Sequence, residues 1–198
     1  MTKSTCTAFA GSRCIASGDL ASVAAKVKAV IDRDDGEAIL IFDDTTSEPI
    51  EVDFRGTVQE LLKRIAATAD IGPSAAASTP PEGTVPRGPG RPKLGVVARE
   101  ITLLPRHWEW LAAQPGGASV ALRKLVEDAR RVNADKDRVR RARESSYRFM
   151  SAMAGDRPGF EEAIRALFAG NRERFVEQTA RWPADVRDHA LRLAASSF

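Results

Sequence analysis

The chain is poor in the residues that build most metal and disulfide sites. Its 198 residues include two cysteines, Cys6 and Cys14, and two histidines, His107 and His189. The cysteines provide neither a disulfide scaffold nor a zinc-ligand spacing, and two histidines are too few for most multi-histidine centres. We therefore expect free thiols, solvated or packing histidines, no metal site and no cofactor.

Long apolar runs and catalytic motifs are also missing. Ala38–Phe42 is among the longest apolar runs, whereas a membrane helix needs roughly 20 such residues. No apolar stretch follows Lys3, so the sequence predicts no secretory signal. The chain has no glycine-rich dinucleotide fingerprint, no phosphate loop and no Gly-x-Ser-x-Gly elbow. Two aspartate pairs, Asp34-Asp35 and Asp43-Asp44, lie beside turn signals and are predicted to form turns. We expect a cytoplasmic protein with no catalytic residue, no small-molecule substrate and no membrane partner.

The small net charge of +3 conceals an uneven distribution. Residues 1–70 carry 8 basic and 12 acidic side chains, whereas residues 106–150 carry 11 basic and 6 acidic ones. A basic middle segment in a chain with an acidic first third is typical of a localised surface for a polyanion. Arginine-rich, solvated helices explain the same distribution equally well.

Proline and glycine are concentrated in one segment. Residues 72–92 contain six of the 11 prolines and four glycines, with hardly any large apolar side chain. Such a segment has little apolar surface to bury, so it predicts a flexible linker. The sequence therefore predicts an acidic α+β domain over 1–71, the linker over 72–92 and a helical domain over 93–198.

The first part has the pattern of a small domain in the order ββαββα, which we expect to fold independently. Asp19 is expected to cap a helix that ends at Ile31, and a capping box over residues 57–60 begins a second helix. The predicted strands are Thr5–Ala10, Arg13–Ser17, Ala38–Phe42 and residues 50–54.

The last part is predicted to be mainly helical after one short strand, Arg99–Leu104. Pro105 suits the first turn of a helix, and a second, long helix runs from Ser119 towards Met153. Glycine and proline breaks further along predict three shorter helices.

Residues 97–131 resemble a ribbon-helix-helix unit in the order of their elements. They contain an extended segment, a proline-started helix, a glycine turn and a second helix. In that family two chains pair their extended segments into a ribbon that enters the major groove of DNA. The resemblance implies a homodimer that pairs through residues 99–104 and binds double-stranded DNA. The alternative is that apolar side chains such as Ile101 and Trp108 only anchor a helical domain.

The same unit contains candidate contacts to DNA. Exposed amides from Gly117 onwards, together with the Ser119 hydroxyl, suit a phosphate at the start of the second helix. Thr102 is the candidate for reading a base, and Arg123 follows on the same helix. A basic stripe over residues 130–143 continues along that helix, although interspersed acidic residues neutralise part of it.

The linker ends in a segment that resembles the core of an AT-hook. Gly90–Lys93 has the sequence Gly-Arg-Pro-Lys, and an extended Arg-Pro segment of this kind fits the narrow minor groove of A·T-rich DNA. The usual hook has an arginine directly before the glycine, where this chain has Pro89 and carries Arg87 further upstream. The resemblance makes Arg87, Arg91 and Lys93 candidate DNA contacts, and an ordinary solvated linker is the alternative.

Taken end to end, the chain resembles a family of bacterial proteins known as domain-of-unknown-function family 2239. The segments that carry the resemblance are Thr7–Gly11, Gly90–Glu100, Leu103–Ser119, Ser151–Gly155 and Trp182–Ala190. The resemblance implies a bacterial protein and supplies no reaction, ligand or catalytic residue.

Three hypotheses for function follow. The leading one is a non-enzymatic, DNA-associated regulator that uses the basic ribbon-helix-helix-like segment. The second is a protein-interaction adaptor with an acidic N-terminal docking domain, and the third is an enzyme with an unrecognised site.

Overall fold

The computed structural model describes residues 5–33, 36–70, 97 and 99–198. In these residues it contains three strands and seven helices, an α+β fold. The elements in chain order are β1 Thr5–Ala10, β2 Arg13–Asp19, α1 Leu20–Ile31, β3 Ile39–Asp43, α2 Val58–Asp70, α3 Pro105–Ala112, α4 Gly117–Ala154, α5 Phe160–Ala169, α6 Arg172–Thr179 and α7 Ala184–Ala194. No helix in this part of the chain is both long and apolar enough to cross a membrane.

The strands form one antiparallel sheet in the order β2-β1-β3. β1 and β2 are joined by a tight turn at Gly11, whose φ of +52° is a conformation that glycine adopts without strain. β3 pairs with the other side of β1, where Ala8 lies opposite Ile41. β1 is therefore the central strand, and all its residues after Thr5 are buried.

The sheet has a core on each face, because successive side chains of a strand point to opposite sides. The first core joins the sheet to α1 and comprises Cys6, Ala8, Ala16, Val23, Val27 and Ile41. In the second core, the rings of Phe9 and Phe42 pack with buried residues of α4, α5, α6 and α7. Helices therefore cover both faces of this small sheet.

The chain divides into two compact units. The first unit lies within Met1–Gly72 and Ala134–Phe198, and the second unit lies within Pro73–Asn133. The predicted linker, residues 72–92, lies outside the described residues.

This division differs from the predicted domains 1–71 and 93–198. The N-terminal sheet shares its second core with the C-terminal helices, and Phe149 of α4 is central to that core. The Phe149 ring centroid is 5.4 Å from that of Phe9 and 5.3 Å from that of Phe42. The predicted domain boundary therefore separates residues that pack against one another.

Residues 50–54, predicted as a strand, form none. A single bridge between Phe42 and Pro49 precedes them. Their alternating apolar side chains, Ile50, Val52 and Phe54, are partly buried against the first core. The alternation therefore indicates one buried side and not strand pairing, and the order of the N-terminal part is ββαβα.

Residues 99–104, predicted as the strand that opens the C-terminal region, also form no strand within the chain. A strand needs a paired neighbour, and the pairing predicted for this segment is with a second chain. That pairing stays a prediction.

The sequence signals for helix starts are confirmed. The Asp19 carboxylate accepts a hydrogen bond from the Ser22 amide at 3.1 Å and caps α1. Thr57 and Glu60 form the predicted capping box: the Thr57 amide donates to the glutamate at 2.8 Å and the Glu60 amide to the threonine at 3.3 Å. Pro105 is the first residue of α3. The long helix and the three shorter helices are present as α4 and α5 to α7.

Candidate functional site

Most large apolar side chains described in the second unit are exposed. Leu111 and Ala121 are its buried hydrophobic residues among those described. Large apolar side chains that are between 41% and 77% exposed are Val97, Ile101, Leu104, Trp108, Trp110, Leu125, Val126 and Val132. Exposed apolar side chains in this number around so small a core are candidates for an interaction with another molecule.

The extended segment before α3 has backbone groups without partners in the described chain. The Leu104 carbonyl accepts from the His107 amide at 2.9 Å, but no backbone hydrogen bond joins residues 99–103 to another described residue. Leu104, which directly precedes α3, provides no side-chain cap for the helix, and Thr102 is exposed. The segment thus has the properties of an unpaired edge strand, which presents its donors and acceptors to another chain.

The turn that begins α4 is built on two glycines. Gly116 and Gly117 have φ angles of +87° and +74°, in the left-handed region that favours glycine. The Gly117 amide donates to the Gln114 carbonyl at 2.9 Å within this turn. The next three amides, of residues 118–120, have no intrahelical partner in helix geometry and lie at the positive end of the helix dipole.

The structure brings two of the predicted DNA contacts together. The Arg123 guanidinium donates to the Ser119 hydroxyl at 3.1 Å, one turn along α4. Both side chains are exposed, as is Thr102, which has no hydrogen bond to another described residue. Arg87, Arg91 and Lys93 lie outside the described residues.

Much of the basic stripe on α4 is neutralised by carboxylates one turn earlier. The ion pairs, with N–O distances of 3.0–3.1 Å, are Arg130–Glu127, Arg131–Asp128, Arg138–Asp135 and Arg140–Asp137. Exposed pairs of this spacing are typical of a solvated helix face. Arg123 and Lys124, by contrast, form no ion pair with a described residue. Arg123 and Lys124 are therefore unneutralised positive charges near the start of α4.

A polar network in the first unit was not predicted from the sequence. The Thr7 hydroxyl of β1 donates to Asp44 Oδ1 at 2.6 Å, next to β3. Arg192 of α7 reaches the same place, and its Nη2 lies 3.3 Å from Thr7 Oγ1 and 3.5 Å from Asp44 Oδ1. These residues are distant in sequence, so no local pattern indicates that they meet.

His189 adjoins this network and is buried. Its ring packs on that of Phe149 at a centroid distance of 4.3 Å, and Arg192 Nη2 lies 2.8 Å from His189 Nδ1. Because a guanidinium only donates, Nδ1 accepts and the imidazole carries its proton on Nε2. Burial and the Arg192 cation lower the pKa of His189 to about 4. His189 is therefore a neutral packing residue at pH 7.

The carboxylates and thiols follow the sequence expectations where they are described. Asp43 Oδ1 accepts from the amides of Thr45 and Thr46 at 2.8 and 2.9 Å, which is the predicted turn-forming role. Asp34-Asp35 lies outside the described residues. Cys6 and Cys14 are free thiols, and burial raises the pKa of both. Within the described ranges no group of three or more His, Cys, Asp and Glu side chains is placed to hold a metal ion.

The fold and these sites define an α+β protein whose second unit exposes an apolar surface beside a basic helix start. The chain belongs to the family described as "uncharacterized protein conserved in bacteria" (DUF2239), whose profile matches residues 5–194. Comparison with curated proteins and with solved structures gave no match.

Proposed function

We propose that this protein is a non-enzymatic, DNA-associated regulator that acts as a homodimer through its second unit. The observation that carries the proposal is the exposed apolar surface of that unit, which lies on and beside a segment with unpaired backbone groups. Pairing residues 99–104 of two chains satisfies these groups and places both copies of Ile101 on the face of the ribbon opposite Thr102. A second copy is the favoured occupant, because an antiparallel pair of identical segments is self-complementary.

DNA is the favoured ligand of such a dimer because of the chemistry at the start of α4. The free amides of residues 118–120 and the Ser119 hydroxyl are phosphate ligands, and Arg123 is held beside them. Two copies of this helix start would bind phosphates on either side of a groove that the paired segments enter. Thr102, exposed on the segment itself, is the candidate base contact.

The test is DNA binding by the full chain at several salt concentrations. We expect affinity for mixed-sequence duplexes to fall steeply between 50 and 200 mM salt, as phosphate contacts require. Arg123→Gln should weaken binding to all sequences and reduce the log–log salt slope by about one. Arg130→Gln is the matched control: it makes the same change in net charge further along α4, at a residue that is paired with Glu127 at 3.1 Å, so it should weaken binding less than Arg123→Gln.

A second candidate is a protein-interaction adaptor. Trp108 and Trp110 are both exposed on α3, and aromatic residues are enriched in protein interfaces. A chain that shows no salt-dependent DNA binding would exclude the regulator and favour this role.

A further inference from the structure

The first unit has a surface cavity of about 390 Å³ with basic and hydroxyl-bearing walls. Its lining includes Thr5, Asp44, Thr45, Arg138, Arg141, Arg192 and Ser196. We propose that this cavity binds a small phosphorylated sugar or polyol. The site does not include Thr102, Ser119 or Arg123, on which the proposed DNA binding rests, and it does not depend on that proposal.

Two of the arginines lie one turn apart on α4 and face the cavity together. Arg138 forms an ion pair with Asp135 at 3.1 Å. Arg141 donates through Nε to the Asp137 carbonyl at 3.2 Å and forms no ion pair with a described residue. This bond orients the Arg141 side chain. The N–H groups of Nη1 and Nη2 remain available to donate to two oxygens of a phosphate.

Arg192 reaches the cavity from α7 and is held through one nitrogen. Nη2 lies within 3.5 Å of His189, Thr7 and Asp44, whereas no hydrogen bond to the described residues involves Nη1 or Nε. The outer edge of this guanidinium thus has donors left for a ligand. The lining contains three guanidinium groups and one carboxylate, that of Asp44, and Asp135 offsets the charge of Arg138 from outside the lining. The remaining balance is positive, so the cavity favours an anion.

Neutral donors complete the site. The hydroxyls of Thr5, Thr45 and Ser196 form no hydrogen bond with a described residue, and the three side chains belong to exposed residues. The volume exceeds what a bare phosphate needs and lies in the range of small-molecule pockets, roughly 300–1,000 Å³. The Asp44 carboxylate accepts hydrogen bonds only, so it suits a hydroxyl of the ligand. A sugar phosphate fits both kinds of group in the cavity: its phosphate would bind the guanidinium donors, and a hydroxyl of its sugar would donate to the Asp44 acceptor.

The proposal is tested by calorimetric titration of the full chain with ribose 5-phosphate, inorganic phosphate and ribose. We expect ribose 5-phosphate to bind most tightly, inorganic phosphate more weakly and ribose not at all. Arg141→Gln should weaken ribose 5-phosphate binding by about tenfold or more, as expected for a charge-assisted contact. Arg140→Gln is the matched control: it makes the same charge change one residue away, and Arg140 is paired with Asp137 and does not line the cavity.

Thermal melting shows whether each variant folds. If Arg141→Gln does not fold, Thr45→Val provides a second test, because it removes a hydroxyl from an exposed residue of the cavity. We expect Thr45→Val to bind a few-fold more weakly. No detectable binding of ribose 5-phosphate to the wild-type chain at millimolar concentration would overturn the proposal. Equal losses in Arg141→Gln and Arg140→Gln would also overturn it, because they would indicate a general charge effect. If Arg141→Gln weakens duplex DNA binding while the sugar phosphate does not bind, the arginines belong to a nucleic-acid surface and the proposal is wrong.

Discussion

Replacing Phe149 by alanine tests whether the N-terminal sheet and the C-terminal helices unfold as one unit. The ring is fully buried and contacts Phe9, Phe42 and His189 at centroid distances of 5.4, 5.3 and 4.3 Å. Loss of such a ring from a packed core costs about 3–5 kcal/mol in free energy of unfolding, since a cavity remains. For a unit of about 140 residues this corresponds to a fall in Tm of about 10–17 °C.

The assay combines thermal melting followed by circular dichroism with native-state hydrogen exchange. We expect amides of β1, β3 and α7 to lose protection by the same free energy in Phe149→Ala, because one cooperative unit opens as a whole. Phe168→Ala is the matched control, since Phe168 is 48% exposed and should cost about 1 kcal/mol or less. The reasoning is refuted if the two variants melt alike, or if only the helices lose protection while the sheet keeps its own.

Three further predictions concern a helix cap, a buried histidine and a base contact. Asp19→Ala should lower the free energy of unfolding by about 1 kcal/mol in urea titrations, because the Ser22 amide loses its acceptor. His189 has a pKa of about 4 in the folded state, below its ordinary 6.5, so the unfolded chain binds more protons between these values. The free energy of unfolding should therefore fall as pH falls from 6.5 towards 4. His189→Gln should have lower urea midpoints at every pH, but these should lack the decrease with pH that His189 causes. Thr102→Val should change the preferred duplex sequence more than the mean affinity in a competition assay with randomised duplexes.

Local chemistry made the helices predictable. The caps at Asp19 and Thr57 and the proline at position 105 satisfy or remove backbone donors within a few residues, so the sequence alone specifies these helix starts. The turn at Asp43 follows from the same short-range hydrogen bonding. Strand pairing was less predictable. The alternation of apolar residues at 50–54 indicates that one side of the segment is buried. Whether another strand pairs with the segment depends on distant parts of the chain.

Long-range packing explains why the domain boundary differs. The rings of Phe9 and Phe149 pack together although the two residues are far apart in the sequence. No local pattern near either residue indicates that it contacts the other. The buried position of His189 had a signal, since it lies three residues after Val186 and directly before Ala190, both buried on α7. Charged neighbours on the same helix obscured that signal.

The candidate sites differ in the same way. The residues near the start of α4 are close in sequence, so Ser119 and Arg123 could be chosen from a pattern, and their contact is present. The cavity in the first unit joins β1, the turn after β3, α4 and α7. Its residues come from four separate segments, and only the folded chain brings them together.

Sedimentation velocity of the full chain with a labelled duplex of about 20 base pairs tests the proposed function most directly. We expect a complex that contains two chains per duplex, with no one-chain complex at low protein concentration, and its loss as salt rises from 50 to 200 mM. Ile101→Glu should abolish both the dimer and the complex, whereas Val176→Glu, a similar change at an exposed residue of the first unit, should leave both intact. A wild-type chain that stays monomeric, or that binds the duplex as a single chain, would contradict the account.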